Sequence, residues 1–201
     1  MRGSEPAAYA ATALRCLNIA PTAEGVAYAV FDFGGGTTDF DFGYYRLPTE
    51  TEADDQGWET VFEHFGSGGD AFLGGENLLE HLAYRTFCHN IAVCRKNKIS
   101  FTRPLDAPDF PGSELFLERT QAAATNTLML MARLRQFWES GEQSNSTGVE
   151  KIDLIGRDGK KVPCELELAM AELEQFLQQR IELGIHKFYV ALKKAFAGQL
   201  P

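Results

Sequence analysis

The sequence has few of the features that mark exported, membrane-spanning or nucleic-acid-binding proteins. Within its 201 residues, no apolar run approaches the roughly 18 residues of a membrane-spanning helix, and no signal-peptide pattern is present. Lys and Arg total 19 against 28 Asp and Glu. The net charge of −9 therefore argues against nucleic acid or an anionic membrane surface as a partner. These absences predict a cytoplasmic protein.

Cysteine is also scarce, and the chain contains Cys16, Cys88, Cys94 and Cys164. Their spacings match no zinc or redox motif, which argues against the usual metal and thiol-exchange sites. Cys94 continues an apolar row at helical spacing, so we expect it to be a reduced core residue. The alternative is a metal site that combines Cys88, His89 and Cys94 with His81.

Glycine, in contrast, is concentrated in a turn between two predicted strands. Residues 26–31 form an almost unbroken apolar run, which predicts a buried strand. Apolar and polar residues alternate from 40 to 44, which predicts a strand with one solvent face. The turn between them contains Gly34, Gly35, Gly36, Thr37 and Thr38.

The composition of this turn suits the binding of an anion. Glycines permit the positive φ angles of a tight hairpin, and they remove the Cβ atoms that would keep a ligand from the backbone N–H groups. Successive N–H groups of such a turn suit phosphate oxygens, and the threonine hydroxyls add donors. Asp32 would repel a phosphate unless a Mg²⁺ held mainly through water lies between them, or unless it orients an attacking water. The alternative is a glycine hairpin with an unrelated acid beside it.

Three motifs in this order resemble those of the DnaK-type (heat-shock 70 kDa) chaperones in the actin-like ATPase superfamily. Residues 31–40, F-D-F-G-G-G-T-T-D-F, look like the second phosphate loop. Residues 5–10, E-P-A-A-Y-A, are similar to an E-P-x-A-A segment, and residues 69–77, G-D-A-F-L-G-G-E-N, to G-D-x-x-L-G-G-E-D. The resemblance extends more weakly to about residue 196. It implies the second lobe of a nucleotide-binding domain, without its final part, that binds ATP or ADP with Mg²⁺.

The resemblance also implies roles for individual residues. Asp32 would act with Mg²⁺ and the attacking water, Thr37 would contact the γ-phosphate, and Glu5 would help to position the water. The residues expected to contact the nucleotide are Gly34, Gly35, Gly36, Thr38, Gly74, Gly75, Glu139 and Ser146. For Glu5 the alternative is a favourable position at the positive end of a helix dipole.

The helix predicted over residues 121–138 departs from the family pattern. The family carries Glu-x-x-Lys-Arg-x-x-Ser there to hold the adenosine. Glu139 and Ser146 keep the two ends, whereas Glu142 and Gln143 replace the basic pair. Losing such a cation would cost about 1–3 kcal/mol. A shifted alignment, a changed binding mode and weakened binding all remain open.

The fold implied is α/β with α+β elements: a ribonuclease-H-like, actin-like ATPase lobe fragment with an inserted helical and β-hairpin subdomain. Residues 1–97 would form a partial ribonuclease-H-like subdomain, 98–168 an inserted cap, and 169–201 a long connecting helix. Local patterns predict helices at 6–17, 78–95 and 121–138, and strands at 58–65, 99–101, 114–118, 149–155 and 161–168. Residues 47–57 are predicted as a solvated acidic hairpin, and the apolar stripe from 170 to 196 as core, with Gly184 as a candidate bend.

Several parts of the family have no counterpart in the sequence. The first lobe with its catalytic lysine, the adenine-closing Gly-Gly-x-Thr/Ser-Arg segment and the peptide-binding domain are missing. We therefore expect an excised portion of a chaperone-like ATPase that hydrolyses negligible ATP alone. Its partners would be the missing lobe and client-binding part, and a co-chaperone or exchange factor. The alternatives are a non-hydrolysing interaction protein that keeps the scaffold, an actin-like filament protein and a sugar kinase.

Overall fold

The computed structural model describes residues 5–140 and 148–197. They form a mixed α+β structure with six α-helices, a three-stranded antiparallel sheet and a separate β-hairpin. The elements in chain order are α1 (Glu5–Cys16), β1 (Val26–Phe33), β2 (Thr38–Arg46), α2 (Glu50–Gln56), β3 (Val61–Asp70), α3 (Gly75–His89), α4 (Ile91–Asn97), α5 (Gln121–Ser140), β4 (Val149–Ile155), β5 (Lys161–Glu167) and α6 (Met170–Ala197).

The chain divides into two compact units. The first, here called the sheet unit, comprises residues 1–74 and 181–201, and the second, the cap unit, comprises Gly75–Arg180. Helix α6 belongs to both, because the boundary falls within it. The predicted three-part division at residues 97 and 168 stays a prediction.

The sheet unit contains the meander β1-β2-β3, in which both pairs are antiparallel. The strands predicted at 26–31 and 40–44 are confirmed and extend toward the glycine turn, and the third strand lies at Val61–Asp70 rather than at 58–65. On one face, Phe188 of α6 packs against Phe40 and Phe42, with ring centroids 5.3 and 5.4 Å apart. On the other face, Ala10 and Leu14 of α1 pack with Tyr28 and Tyr45.

Residues 50–56 form a helix, so the predicted acidic hairpin is wrong. Helix α2 begins at a capping box, in which Thr49 Oγ1 accepts from the Glu52 N–H at 3.3 Å and the Glu52 carboxylate accepts from the Thr49 N–H at 2.8 Å. The helix ends at Gln56, and Gly57 caps it with a left-handed φ of 65°. The reciprocal cap satisfies two N–H groups that would otherwise lack a partner.

In the cap unit, the helix predicted over residues 78–95 is interrupted at Asn90. The side-chain nitrogen of Asn90 donates to the Thr86 and Glu167 carbonyls, both at 2.8 Å. The side-chain oxygen of Asn90 accepts from the Glu167 N–H, also at 2.8 Å. The amide thus competes with the helical hydrogen bonds and ties the α3–α4 junction to β5.

The segment between α4 and α5 contains little regular structure. The strands predicted at 99–101 and 114–118 are reduced to isolated bridges, Ile99 with Gly156 and Phe101 with Leu117, and Ser113–Leu115 is a 3₁₀ turn. Three prolines in this segment withhold backbone donors from a ladder.

The remaining predicted elements are confirmed, with one correction to the core. Helix α5, the β4–β5 hairpin and α6 lie where expected, and α6 runs unbroken through Gly184. The stripe of α6 is only partly core: Leu173 is buried, whereas Ile181 and Ile185 are 40% and 44% exposed. Of the described helices, none combines the length and apolar character needed to cross a bilayer.

Candidate functional site

The candidate phosphate turn closes the β1–β2 hairpin. The Gly34 N–H donates to the Thr37 carbonyl at 2.9 Å, which leaves Gly35 and Gly36 at the tip. These four residues are exposed to solvent. None of the three glycines has a φ angle in the left-handed region, so the expectation that the turn requires positive φ is wrong.

Access of a ligand to the turn N–H groups, the second predicted reason for glycine, stays a prediction; what the structure shows is a close approach of the Gly74 backbone to this turn. A Cβ added to Gly74 would lie 2.5 Å from the Gly35 oxygen and 2.7 Å from its carbonyl carbon, and would overlap the Gly36 carbonyl carbon. The structure therefore brings together three of the predicted nucleotide-contacting residues, which come from two separate glycine motifs. Gly75, which follows, is the first residue of α3 in the cap unit.

Two carboxylates lie at the turn end of the same hairpin. Asp32 pairs directly with Asp39 across β1 and β2. Opposed residues of an antiparallel pair have Cβ atoms about 4.5–5.5 Å apart, and like charges at that separation are unfavourable. Asp39 accepts a hydrogen bond from the Thr37 hydroxyl at 3.1 Å. Sequence reasoning did not select Asp39, although a tight turn centred on Gly35 and Gly36 places it opposite Asp32.

The Asp32–Asp39 pair suits a hydrated Mg²⁺ better than a cation held entirely by protein. Mg²⁺ commonly keeps several waters and takes one or two carboxylates together with phosphate oxygens. Within residues 5–140 and 148–197, no group of three or more His, Cys, Asp or Glu could hold a metal. A cation near this pair would also relieve the repulsion between the two acids.

The two threonine hydroxyls already have acceptors within the protein. Thr38 is fully buried, and its hydroxyl donates to the Leu73 carbonyl. The Thr37 hydroxyl donates to Asp39, but this side chain is exposed and can exchange partners. Thr38 thus ties β2 to the segment before Gly74, and its predicted contact with phosphate stays a prediction.

The predicted residues of the adenosine side are only partly described. Glu139 is exposed near the end of α5. Arg135, one turn earlier, pairs with Glu76 at 2.6 Å, and this interaction raises the pKa of the arginine. Ser146, Glu142 and Gln143 lie outside the described residues, as does the side chain of Glu5, the first residue of α1.

The alternative metal site on the cysteines is wrong, because the described cysteines and histidines form no metal-binding group. His81 pairs instead with Asp106, with 2.6 Å between Nε2 and Oδ1. Cys94 is fully buried and its thiol is free, as expected for a core residue. Burial raises the pKa of Cys94 to about 12, so the thiol remains protonated at neutral pH.

Two open concavities are lined by residues other than the turn glycines. One, of about 950 Å³, lies in the cap unit between Glu80 and the segment that contains Arg103 and Arg119. The other, of about 850 Å³, lies in the sheet unit between β3 and α6, where Lys187 and Lys194 face it. Neither contains the pair of acids and the glycine backbone that distinguish the turn.

Comparison with known proteins assigns no family. No protein-family model matches the chain, and no curated protein matches it at a significant level.

Proposed function

We propose that the sheet unit carries the phosphate-binding site of an ATP-binding, chaperone-like ATPase. The observation that carries the proposal is the contact between Gly74 and the Gly35–Gly36 turn beside the Asp32–Asp39 pair. The three-stranded meander followed by a helix is compatible with the start of a ribonuclease-H-like, actin-like ATPase lobe. Hydrolysis and chaperone activity are proposed for the whole protein to which the site belongs.

In this proposal, the backbone of residues 35–37 faces the phosphates and the two carboxylates bind the hydration shell of Mg²⁺. The bound ion supplies charge neutralisation between the acids and the phosphate oxygens. Asp32 has the further role of orienting a water molecule for attack on the γ-phosphate. Thr37, whose exposed hydroxyl lies at the turn, can donate to a phosphate oxygen once it leaves Asp39.

Calorimetric titration of the 201-residue protein with MgADP tests the proposal. We expect binding by the native protein, and weaker binding by Asp32→Asn and Asp39→Asn, because each loses one charge-assisted contact. Such a contact contributes about 1.5–3 kcal/mol, which corresponds to about 10–150-fold in affinity. Removing Mg²⁺ with EDTA should remove the advantage of the native protein and leave the Asn variants binding ADP at least as tightly, because unshielded carboxylates repel the phosphates.

Asp54→Asn is the matched control, because Asp54 is an exposed acid on α2 outside the proposed site. It should bind MgADP as the native protein does. The proposal fails if the native protein gives no binding heat, or if Asp54→Asn weakens binding as much as Asp32→Asn.

A second candidate is an interaction protein that keeps the scaffold without binding nucleotide. The engagement of both threonine hydroxyls favours it, since the donors expected for phosphate are satisfied internally. This candidate predicts no response to either MgADP or MgATP, at any magnesium concentration.

A further inference from the structure

The segment that leads to Gly74 is fixed by a buried acid at the end of β3. Asp70 is 6% exposed, and its carboxylate accepts from the Phe72 N–H at 2.9 Å. It also lies 2.7 Å from Nζ of Lys187 on α6, whose side chain is half-exposed. A buried carboxylate requires such partners, so this pair fixes the start of the segment to the helix.

Leu73 provides a second connection between the same segment and α6. Its side chain is 1% exposed and packs against Gly184, where an added Cβ would overlap Leu73 Cδ2. A glycine inside a helix costs about 1 kcal/mol relative to alanine. Gly184 has no left-handed φ to explain its presence, so the close approach of Leu73 is the feature that requires it.

These contacts form a continuous path to the candidate phosphate turn. Helix α6 holds Asp70 and Leu73, the Leu73 carbonyl accepts from Thr38, and Gly74 packs on Gly35. All of these residues belong to the sheet unit. The path connects α6 to the point where the glycines of two distant motifs meet.

We propose that Lys187, Asp70 and Gly184 are positioning residues that set the placement of Gly74 against the Gly35–Gly36 turn. The inference rests on the proposed function, because the turn is the site that this placement would shape. The three residues act through Gly74 and bind no nucleotide themselves. Displacing Leu73 or releasing Asp70 should move the turn even in the absence of a ligand.

The first test measures the backbone amide resonances of Gly35 and Gly36 in nucleotide-free protein. In Gly184→Ala the new methyl group must displace Leu73, so both resonances should shift. Gly66→Ala is the matched control, because its Cβ would lie 2.7 Å from the Ala195 Cβ on the same helix, where it disturbs helix–sheet packing at a different point. Unmoved turn resonances in Gly184→Ala, or equal shifts in the control, would overturn the proposal.

The second test measures MgADP affinity and the same resonances in Lys187→Met and Lys187→Arg. Losing the ion pair should shift the resonances and weaken MgADP about tenfold, and arginine should restore most of the affinity because it keeps the charge near Asp70. Lys194→Met removes the other lysine that faces the concavity between β3 and α6. It should change neither the turn resonances nor the MgADP affinity. An equal effect of Lys194→Met, or no rescue by arginine, would contradict a positioning role.

The two proposals fail separately. If the native protein does not bind MgADP, the proposed function is wrong, and the turn resonances of the nucleotide-free variants still decide the positioning role. If Gly184→Ala does not fold, Lys187→Met supplies the same test, since the lysine side chain is 44% exposed and its loss leaves no cavity in the core.

Discussion

A Cβ at position 74 would occupy the space of the Gly35 and Gly36 backbone. Contact with the turn backbone therefore explains the glycine at position 74, whereas a Cβ added to Gly36 would meet no atom within 4 Å. Sequence alone indicates that a glycine turn permits close approach, but it does not reveal what approaches. Here another part of the same chain does so, and this arrangement places two peptide segments at the edge of the candidate site.

Asp32 and Asp39 show what could have been predicted at the scale of single residues. Counting outward from a two-residue turn at Gly35 and Gly36 pairs position 32 with position 39, and the observed register agrees. The pair was therefore accessible from the sequence. The hydrogen bond of the Thr38 hydroxyl was not, because its acceptor, the Leu73 carbonyl, lies 35 residues away in the chain.

The buried thiol of Cys94 provides a prediction about reactivity and pH. Its raised pKa of about 12 keeps the nucleophilic thiolate scarce, whereas Cys16 is exposed. At pH 8, iodoacetamide should alkylate Cys16 rapidly and Cys94 only after unfolding in urea, as followed by peptide mass spectrometry. Alkylation of Cys94 in the native protein at the rate of Cys16 would contradict the burial.

The raised pKa of Cys94 also predicts how the stability of the protein changes at alkaline pH. Because the thiol of Cys94 has a higher pKa in the folded state than its ordinary value of 9.0, the folded protein binds more protons between pH 9 and about 12. This contribution to stability is fully present below pH 9 and is lost as pH rises toward 12. Urea unfolding of Cys94→Ala against the native protein should show a smaller alkaline loss in the variant.

At the scale of elements, α2 has a capping box that is visible in the sequence but was outweighed by its acidic composition. Its acidic residues suggested a solvated loop, but Thr49 and Glu52 have the spacing of a capping box. Arg46 then bridges Glu52 and Glu63, at 2.8 and 2.7 Å. The arginine and the cap hold the pKa of Glu52 at about 2. A search for caps before charge runs would have found this helix.

Replacing Thr49 by alanine should loosen α2 without unfolding the sheet. An N-cap of this kind contributes about 1 kcal/mol, and α2 has no buried residue to compensate for its loss. Hydrogen exchange at the Ala53 and Gly57 amides should therefore become about fivefold faster in Thr49→Ala. The control is Thr51→Ala, because Thr51 is exposed, lies two residues after Thr49 and is not the N-cap. This variant should leave the exchange rates of both amides unchanged.

The break at Asn90 shows the opposite case. The apolar row continues from α3 into α4, so periodicity alone predicts one helix. The interruption depends on contacts with Glu167, 77 residues away, which no local pattern contains. Elements defined by nearby residues were thus predictable, whereas those defined by distant partners were not.

At the scale of the whole molecule, the sheet, the hairpin and the long helices follow from hydrophobic periodicity and turn residues. The division within α6, and the meeting of Gly74 with the glycine turn, depend on tertiary contacts. The resemblance to DnaK-type chaperones rests on short motifs, and no family model matches. The functional assignment consequently depends on what the turn binds.

The most direct test is a titration of isotope-labelled protein with MgADP, followed by amide resonances along the described chain. The account predicts that the largest shifts occur at Gly35, Gly36, Thr37 and Gly74, with small shifts along the β4–β5 hairpin. Shifts confined to the cap unit, or no shifts in any part of the chain at millimolar MgADP, would contradict the proposed phosphate site.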